Sequence, residues 1–172
     1  SRERDANVGT VNQTARHHRR VIVKQVVTMP PQTLYNKLVS SHTVTRLDDD
    51  NVLLYCDLHL MNEYTSPQAF AGLHEQDRGV LIPGQNVSVV SHIIPTHPTK
   101  IRVIADPASS LQATNLRDNC EKHRIPLFDT NDTLQGIEHV IAPEHGMIRP
   151  GMVVICGDSH TTTYGALGAL GF

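Results

Sequence analysis

Residues 151–172 read GMVVICGDSHTTTYGALGALGF, and they join a predicted strand to three polar side chains. Residues 152–156 form a short apolar run rich in β-branched side chains, with glycine on either side. Such a run is typical of a strand that is buried on both faces in a parallel sheet. Asp158, Ser159 and His160 come immediately after the strand and its glycine. The segment therefore predicts an α/β fold with polar groups at the end of this strand.

These polar groups have two interpretations. Open α/β sheets bind ligands outside the carboxyl ends of their strands, where a loop leads into a helix. Asp158, Ser159 and His160 could there orient a proton carrier and bind an anion in one small volume. The alternative is structural, because Asp158 or Ser159 could cap the following helix by accepting hydrogen bonds from its free backbone N–H groups. The segment alone leaves both interpretations open.

The composition indicates one aliphatic domain. The chain has 172 residues, 39% of them hydrophobic, only 4% aromatic and no tryptophan. A formal charge of −2 gives no support for a nucleic-acid or membrane partner, and no apolar run approaches the roughly 18–20 residues that span a bilayer. Cys56, Cys120 and Cys156 are far apart in the sequence and predict neither a disulfide framework nor a closed zinc site. A reducing, cytoplasmic setting fits this cysteine usage.

Residues 1–29 differ from the remainder of the chain. They are polar and charged, include the basic cluster RHHRR at 16–20 and show no clear helical period. We predict a disordered N-terminal extension over 1–29, followed by the α/β domain over 30–172. An amphipathic targeting peptide is the alternative, but Glu3 and Asp5 argue against it because such peptides avoid acidic residues.

The domain contains alternating helix and strand signals. Helices are predicted at 34–39, 67–73 and 107–125, and strands at 52–55, 87–90, 126–129 and 152–156. Thr33 and Ser66 are predicted N-caps, with Pro67 at the first helical position of the second helix. The third helix is expected to turn Leu111, Leu116 and Cys120 inward. The predicted architecture is a parallel-rich sheet flanked by helices.

Two further histidines are candidate site residues. His92 follows the strand at 87–90, again where α/β folds place ligands, although a lone histidine there is more often structural. His139 lies within the compact apolar segment 136–144 and should be partly buried. Because burial disfavours the imidazolium, His139 needs a partner if it is to carry charge. Asp158 is a candidate for that partner.

Several motifs together resemble the aconitase superfamily, and within it the large subunit of 3-isopropylmalate dehydratase. They are TLYxKL at 33–38, EYTSPQAF at 63–70, GIxHV at 136–140, PGM at 150–152 and GDSHT at 157–161. The likeness runs over residues 33–172 and corresponds to the N-terminal part of such a subunit. It implies an aconitase-type N-terminal α/β domain.

The resemblance also implies a reaction, a cofactor and a partner. The reaction is the dehydration and rehydration of a hydroxy-di- or tricarboxylic acid, of the type that interconverts 3- and 2-isopropylmalate in leucine biosynthesis. A [4Fe–4S] cluster assists it, with one iron as a Lewis acid while protein groups move the protons. A small subunit is expected to carry the remaining active-site residues. Gln68 and Ser159 match residues that hold substrate carboxylates.

The resemblance assigns the catalytic roles to four residues. His92 matches the histidine that protonates the departing hydroxyl, and His139 with Asp158 matches a paired histidine and aspartate near the cluster. His160 matches a further histidine that assists binding. In the family the first histidine follows an aspartate that forms its ion pair, but Ser91 stands at that position here. Because a serine carries no charge, we expect His92 to lack this ion pair and to hold its proton less strongly.

The cysteines are a second departure from the family. Its cluster-binding cysteines lie downstream of the region covered by this chain, and Cys56, Cys120 and Cys156 do not match them, so this chain is expected to contain no metal ligand. We therefore expect the 172-residue chain alone to bind no cluster and to be inactive. The apolar ending Leu-Gly-Phe, without a polar cap, favours an incomplete domain. A non-catalytic remnant or binding module of the same fold is the alternative.

Overall fold

Five short parallel strands form the central sheet. The computed structural model describes residues 30–96 and 103–172, and Gln32–Phe172 form one unit. In chain order, the elements are α1 (Leu34–His42), β1 (Thr43–Arg46), β2 (Val52–Leu54), β3 (Leu58–Asn62), α2 (Pro67–Glu75), a 3-10 helix (Pro83–Gln85), β4 (Asn86–Val89), α3 (Pro107–His123), β5 (Leu127–Phe128), α4 (Glu138–Glu144), β6 (Val153–Cys156), a second 3-10 helix (Thr161–Leu167) and β7 (Leu170–Gly171). The extension predicted at 1–29 lies outside the described residues.

The strand order is β5-β4-β3-β6-β7, and every pairing in this sheet is parallel. The predicted α/β class with a parallel sheet is therefore confirmed. Strands β1 and β2 form a separate antiparallel hairpin, so the strand predicted at 52–55 exists but lies outside the main sheet. No strand is predicted at 58–62, although β3 is the centre of the sheet.

Helices cover both faces of the sheet. Neighbouring side chains of a strand point to opposite faces, and Leu60 and Met61 of β3 accordingly belong to two different core clusters. Leu60 packs with residues of α4 and the second 3-10 helix, including Ala142 and Tyr164. Met61 packs with residues of α2 and α3, including Phe70. This double burial makes β3 the central element of the core.

Two of the four α-helices in the described residues begin with a side-chain cap. Thr33 caps α1 as predicted, since its hydroxyl accepts the backbone N–H of Asn36 at 3.1 Å. Asp106 caps α3 by accepting the N–H of Ser109 at 2.7 Å. Ser66, predicted as the cap of α2, has helical dihedral angles and caps nothing among the described residues. The helical turn instead begins earlier, because Asn62 Oδ1 accepts the N–H groups of Tyr64 and Thr65 at 3.0 and 2.9 Å.

Helix α3 confirms part of its predicted inner face. Leu116 and Cys120 are buried, together with Ala113 and His123. The prediction for Leu111 is wrong, since its side chain is 59% exposed. In the part of the chain that the structure describes, no helix is both long and apolar enough to cross a membrane.

The two leucines of α3 provide a direct test of this packing. Leu116→Ala should lower the free energy of unfolding by about 2–5 kcal/mol, because it removes buried methyl groups and leaves a cavity. Leu111→Ala should change it by less than about 0.5 kcal/mol, because that side chain is exposed. Urea unfolding followed by circular dichroism measures both values. Equal losses in the two variants would show that this face of α3 is assigned wrongly.

Candidate active site

The polar residues meet in one cavity at the carboxyl edge of the sheet. It has a volume of about 510 Å³ and lies where the loops after β4 and β6 meet the start of α4. Its walls are formed by His92, Ile137, Glu138, His139, Asp158, Ser159, His160, Thr162 and Thr163. Five of the six predicted site residues therefore line the same cavity. The sixth, Gln68, is exposed in the first turn of α2 and is not part of the described lining.

Asp158 joins two of the histidines. Its Oδ1 lies 2.7 Å from His139 Nε2, and its Oδ2 lies 3.1 Å from His92 Nε2. The backbone N–H of His160 also donates to Oδ1 at 2.8 Å. Burial opposes ionisation, but this N–H and the imidazoles of His139 and His92 more than offset it and lower the pKa of the carboxyl to about 2. Asp158 is thus a carboxylate that only accepts hydrogen bonds.

His139 is held at both ring nitrogens. Its Nδ1 lies 2.7 Å from the hydroxyl of Tyr164, whose ring stands edge-on to the imidazole. Tyr164 is fully buried, and burial, with the nearby Cys156, Glu138 and Asp158, raises the pKa of its phenol. The hydroxyl therefore stays protonated and can donate to Nδ1, while Nε2–H donates to the Asp158 carboxylate. The predicted partial burial of His139 and its partner Asp158 are both found in the structure.

Glu63 fixes the loop that carries His92. This glutamate follows β3, is completely buried, and accepts three backbone N–H groups from the loop after β4. They belong to Ser91 at 3.0 Å, His92 at 2.6 Å and Ile93 at 2.8 Å. A buried carboxylate requires such compensation, because its burial is otherwise costly. The sequence offers only one hint of this role, an acidic residue directly after an apolar strand.

Glu138 brings a second carboxylate to His92. It is the first residue of α4, is 1% exposed, and its Oε1 lies 3.6 Å from His92 Nδ1. The Ser91 hydroxyl donates to its Oε2 at 2.6 Å and lies 3.0 Å from the same Nδ1. With Asp158 at Nε2, carboxylates therefore face both ring nitrogens. Ser91 supplies no charge of its own, but two carboxylates distant in sequence, Glu138 and Asp158, face the ring of His92.

Ser159 and His160 form the open side of the cavity. Both are exposed, and the Ser159 hydroxyl lies 3.1 Å from His160 Nδ1. The Asp158 carboxylate accepts the N–H of His160 directly before the following 3-10 helix, so the capping interpretation holds for Asp158 beside its contacts with the histidines, whereas Ser159 makes no such bond within the described residues. Thr161 also closes this turn, since its hydroxyl lies 3.1 and 2.8 Å from the carbonyls of Cys156 and Asp158. His160 Nδ1 also lies 3.5 Å from Asp158 Oδ1, although most of its ring is exposed.

The cysteines do not form a cluster site. Cys120 and Cys156 belong to the two different core clusters of the sheet, and Cys56 precedes β3. Burial raises the pKa of all three thiols, that of Cys156 to about 11, so they are not thiolates. In residues 30–96 and 103–172, no set of His, Cys, Asp and Glu side chains that could share an ion contains more than one cysteine. An iron–sulfur cluster held by several thiolates does not fit the described cysteines.

Comparison with known proteins agrees with the motifs. The family model described as "Aconitase family (aconitate hydratase)" matches residues 36–172. The chain is 51% identical over 145 residues to 3-isopropylmalate dehydratase large subunit 2 of Salmonella choleraesuis, covering 84% of this chain and 31% of that protein. It is 51% identical over 142 residues to large subunit 1 of Mannheimia succiniciproducens, covering 82% and 30%. The chain thus spans somewhat less than a third of the length of these curated relatives.

The Asp158 network predicts a pH dependence of stability. The folded-state pKa of Asp158, about 2, lies below its value in an unfolded chain, about 3.9. Its stabilisation is therefore fully present above that unfolded pKa and is lost as the pH falls through about 2. Asp158→Asn should lower the free energy of unfolding by about 2 kcal/mol at neutral pH, and the difference from the unmodified chain should shrink between these two pKa values.

Urea unfolding at a series of pH values measures this difference. Asp118→Asn is the matched control, because Asp118 is an exposed residue of α3. A constant difference between the Asp158→Asn variant and the unmodified chain at every pH would contradict the assignment of Asp158 as a stabilised carboxylate.

Proposed function

The chain belongs to the aconitase family, and on this basis we propose that it supplies one wall of the active site of a hydro-lyase that acts on a hydroxy-dicarboxylic acid. The observation that carries the proposal is the bridge from His92 through Asp158 to His139 on one cavity wall. Reversible removal of water needs proton carriers held in fixed positions beside the substrate. A bridge of two histidines on one carboxylate meets this requirement.

We take the substrate class from the relatives. They are large subunits of 3-isopropylmalate dehydratase, so the proposed reaction interconverts 3- and 2-isopropylmalate in cytoplasmic leucine biosynthesis. The word "large" in their names supports a small-subunit partner that completes the site. Since this chain spans 31% of the first of these relatives, it is proposed to contribute only part of that machinery.

His92 is proposed to protonate the departing hydroxyl. Hydroxide is a poor leaving group, and a proton donated in the transition state lowers the barrier. The side chain of His92 is partly exposed on the cavity wall, and the contact of its Nε2 with Asp158, at 3.1 Å, is longer than the contact of His139 with the same aspartate, at 2.7 Å. A substrate hydroxyl can therefore compete for this proton. A carboxylate faces each ring nitrogen of His92, Glu138 at Nδ1 and Asp158 at Nε2.

His139 and Tyr164 are proposed to hold Asp158 in position. The phenol donates to His139 Nδ1, which directs the proton on Nε2 toward Asp158. The carboxylate is then fixed by His139 and by the backbone N–H of His160. Its second oxygen remains directed at His92. This arrangement keeps the position of the proton donor constant while the substrate changes its charge.

The open side of the cavity is proposed to bind a substrate carboxylate. Ser159, His160, Thr162 and Thr163 line it and offer hydrogen-bond donors without an acidic side chain among them. Gln68, which the resemblance assigns to the same task, lies outside the described cavity lining. Its role would require a substrate that extends beyond this cavity toward α2.

The family implies a [4Fe–4S] cluster that acts on the substrate hydroxyl as a Lewis acid. Because the described cysteines do not fit such a cluster, we propose that its ligands come from outside these residues. The tasks proposed for His92, Asp158 and His139 concern protons only.

Substrate binding can be tested on the chain itself. We expect 3-isopropylmalate to shift the NMR signals of His92, Ser159 and His160, which share the cavity wall. Ser159→Ala should weaken binding roughly 10- to 150-fold, since a hydrogen bond to a charged group contributes about 1.5–3 kcal/mol. Ser40→Ala, an exposed serine of α1, is the control and should bind normally. Shifts that avoid the cavity would contradict the proposed site.

The cysteine geometry leads to an expectation for cofactor loading. Anaerobic treatment of the 172-residue chain with iron and sulfide should yield no stoichiometric cluster, because Cys120 and Cys156 are buried in different core clusters and the half-buried Cys56 belongs to neither. Iron and sulfide analysis with visible absorption spectroscopy measures the result. A brown protein with stoichiometric iron and sulfide, lost in Cys56→Ala or Cys156→Ala, would overturn the conclusion that these cysteines cannot hold a cluster.

A further inference from the structure

A buried glutamate lies behind the proposed proton donor. Glu138 is 1% exposed, and its two oxygens have different partners. Oε1 accepts the side-chain amide of Asn62 at 2.9 Å, and Oε2 accepts the hydroxyl of Ser91 at 2.6 Å. No arginine or lysine pairs with it in the described part of the chain, so the nearest group that can carry positive charge is His92. A buried carboxylate is costly unless it is hydrogen-bonded and faces a cation.

We propose that Glu138 and Ser91 form a hydrogen-bond relay that holds a proton on Nδ1 of His92. Glu138 supplies the negative charge from α4, and Ser91 connects it to the imidazole. The proposal deepens the role given to His92 and rests on that role for its catalytic meaning. Ser91 and Glu138 are positioning residues, because they act on the proton donor and not on the substrate.

The hydrogen-bond directions support a relay. An ionised carboxylate has no proton, so the 2.6 Å contact requires Ser91 to donate its single hydroxyl hydrogen to Glu138. The lone pairs of the same hydroxyl then face His92 Nδ1 at 3.0 Å. Nδ1 must carry a proton to complete this contact. Since Nε2 faces the Asp158 carboxylate at 3.1 Å, both nitrogens are placed to donate, which is the pattern of the doubly protonated ring.

None of the other described groups around His92 places a negative charge beside its Nδ1. The ring of Tyr64 stacks on the imidazole with centroids 6.2 Å apart and brings no charge. Glu63 binds the backbone N–H of His92 and fixes the loop from behind. Asp158 shares its charge among His92, His139 and, at 3.5 Å, His160. Glu138 is therefore the carboxylate beside Nδ1, with its Oε1 at 3.6 Å.

The test moves the negative charge from position 138 to position 91 and measures the protonation of the His92 ring. In the 172-residue chain, ¹⁵N NMR at one fixed pH reports the ratio of doubly protonated to neutral imidazole. Glu138→Gln should lower this ratio about tenfold, because it removes an opposite charge within about 4 Å. Ser91→Ala should lower it less, since the carboxylate stays nearby. Glu144→Gln, an exposed glutamate of the same helix, should leave it unchanged.

A double variant, Ser91→Asp with Glu138→Gln, distinguishes a relay to His92 from a merely structural role of Glu138. Ser91→Asp alone places two carboxylates together and should destabilise the fold. Ser91→Asp with Glu138→Gln should restore the ring ratio to that of the unmodified chain, because the charge is now adjacent to Nδ1. If Glu138→Gln lowers stability but leaves the ring ratio unchanged, or if the combined variant stays as low as Glu138→Gln, the relay is overturned. The readout needs no substrate, so failure to bind 3-isopropylmalate would contradict only the proposed function.

Discussion

The site depends on one carboxylate that is shared by two imidazoles. Asp158 follows β6 and contacts His139 from α4 and His92 from the loop after β4. These three segments come from different parts of the chain, and the parallel sheet brings their ends to one edge. Attraction between the carboxylate and the two rings then fixes the distances between these side chains, which backbone packing alone would not determine. Displacing Asp158 would remove the one carboxylate that contacts both histidines.

Two more carboxylates stabilise the same edge from inside the protein. Glu63 binds three consecutive backbone N–H groups of the loop after β4, and Glu138 connects Asn62 at the end of β3 with Ser91. Both are completely or almost completely buried. Such groups contribute little net stability but allow few alternative arrangements, because each lost hydrogen bond leaves a buried charge uncompensated. The network therefore determines the geometry of the proposed proton donor more than it stabilises the fold.

Local signals explain what the sequence could predict. The strand at 153–156 and the cap at Thr33 depend on neighbouring residues, and the pairing of His139 with Asp158 was predicted because a partly buried histidine needs a charged partner. Strand β3 was not predicted because it ends at Asn62 and is followed by Glu63, two polar residues that only distant partners bury. Glu138 has the same property, since nothing in its own helix shows that Ser91 and Asn62 will meet it. For this reason the sequence did not predict that Glu138 faces His92.

The central claim is that Asp158 holds His92 and His139 at the same time. The most direct measurement is the detection of their two ring N–H protons by ¹⁵N-edited NMR in the unmodified chain and in the Asp158→Asn variant. The account predicts two slowly exchanging, strongly downfield Nε2–H signals, one from each histidine, and predicts that both move upfield or vanish together in the variant. A downfield signal from only one ring, or two signals that survive the substitution unchanged, would contradict it.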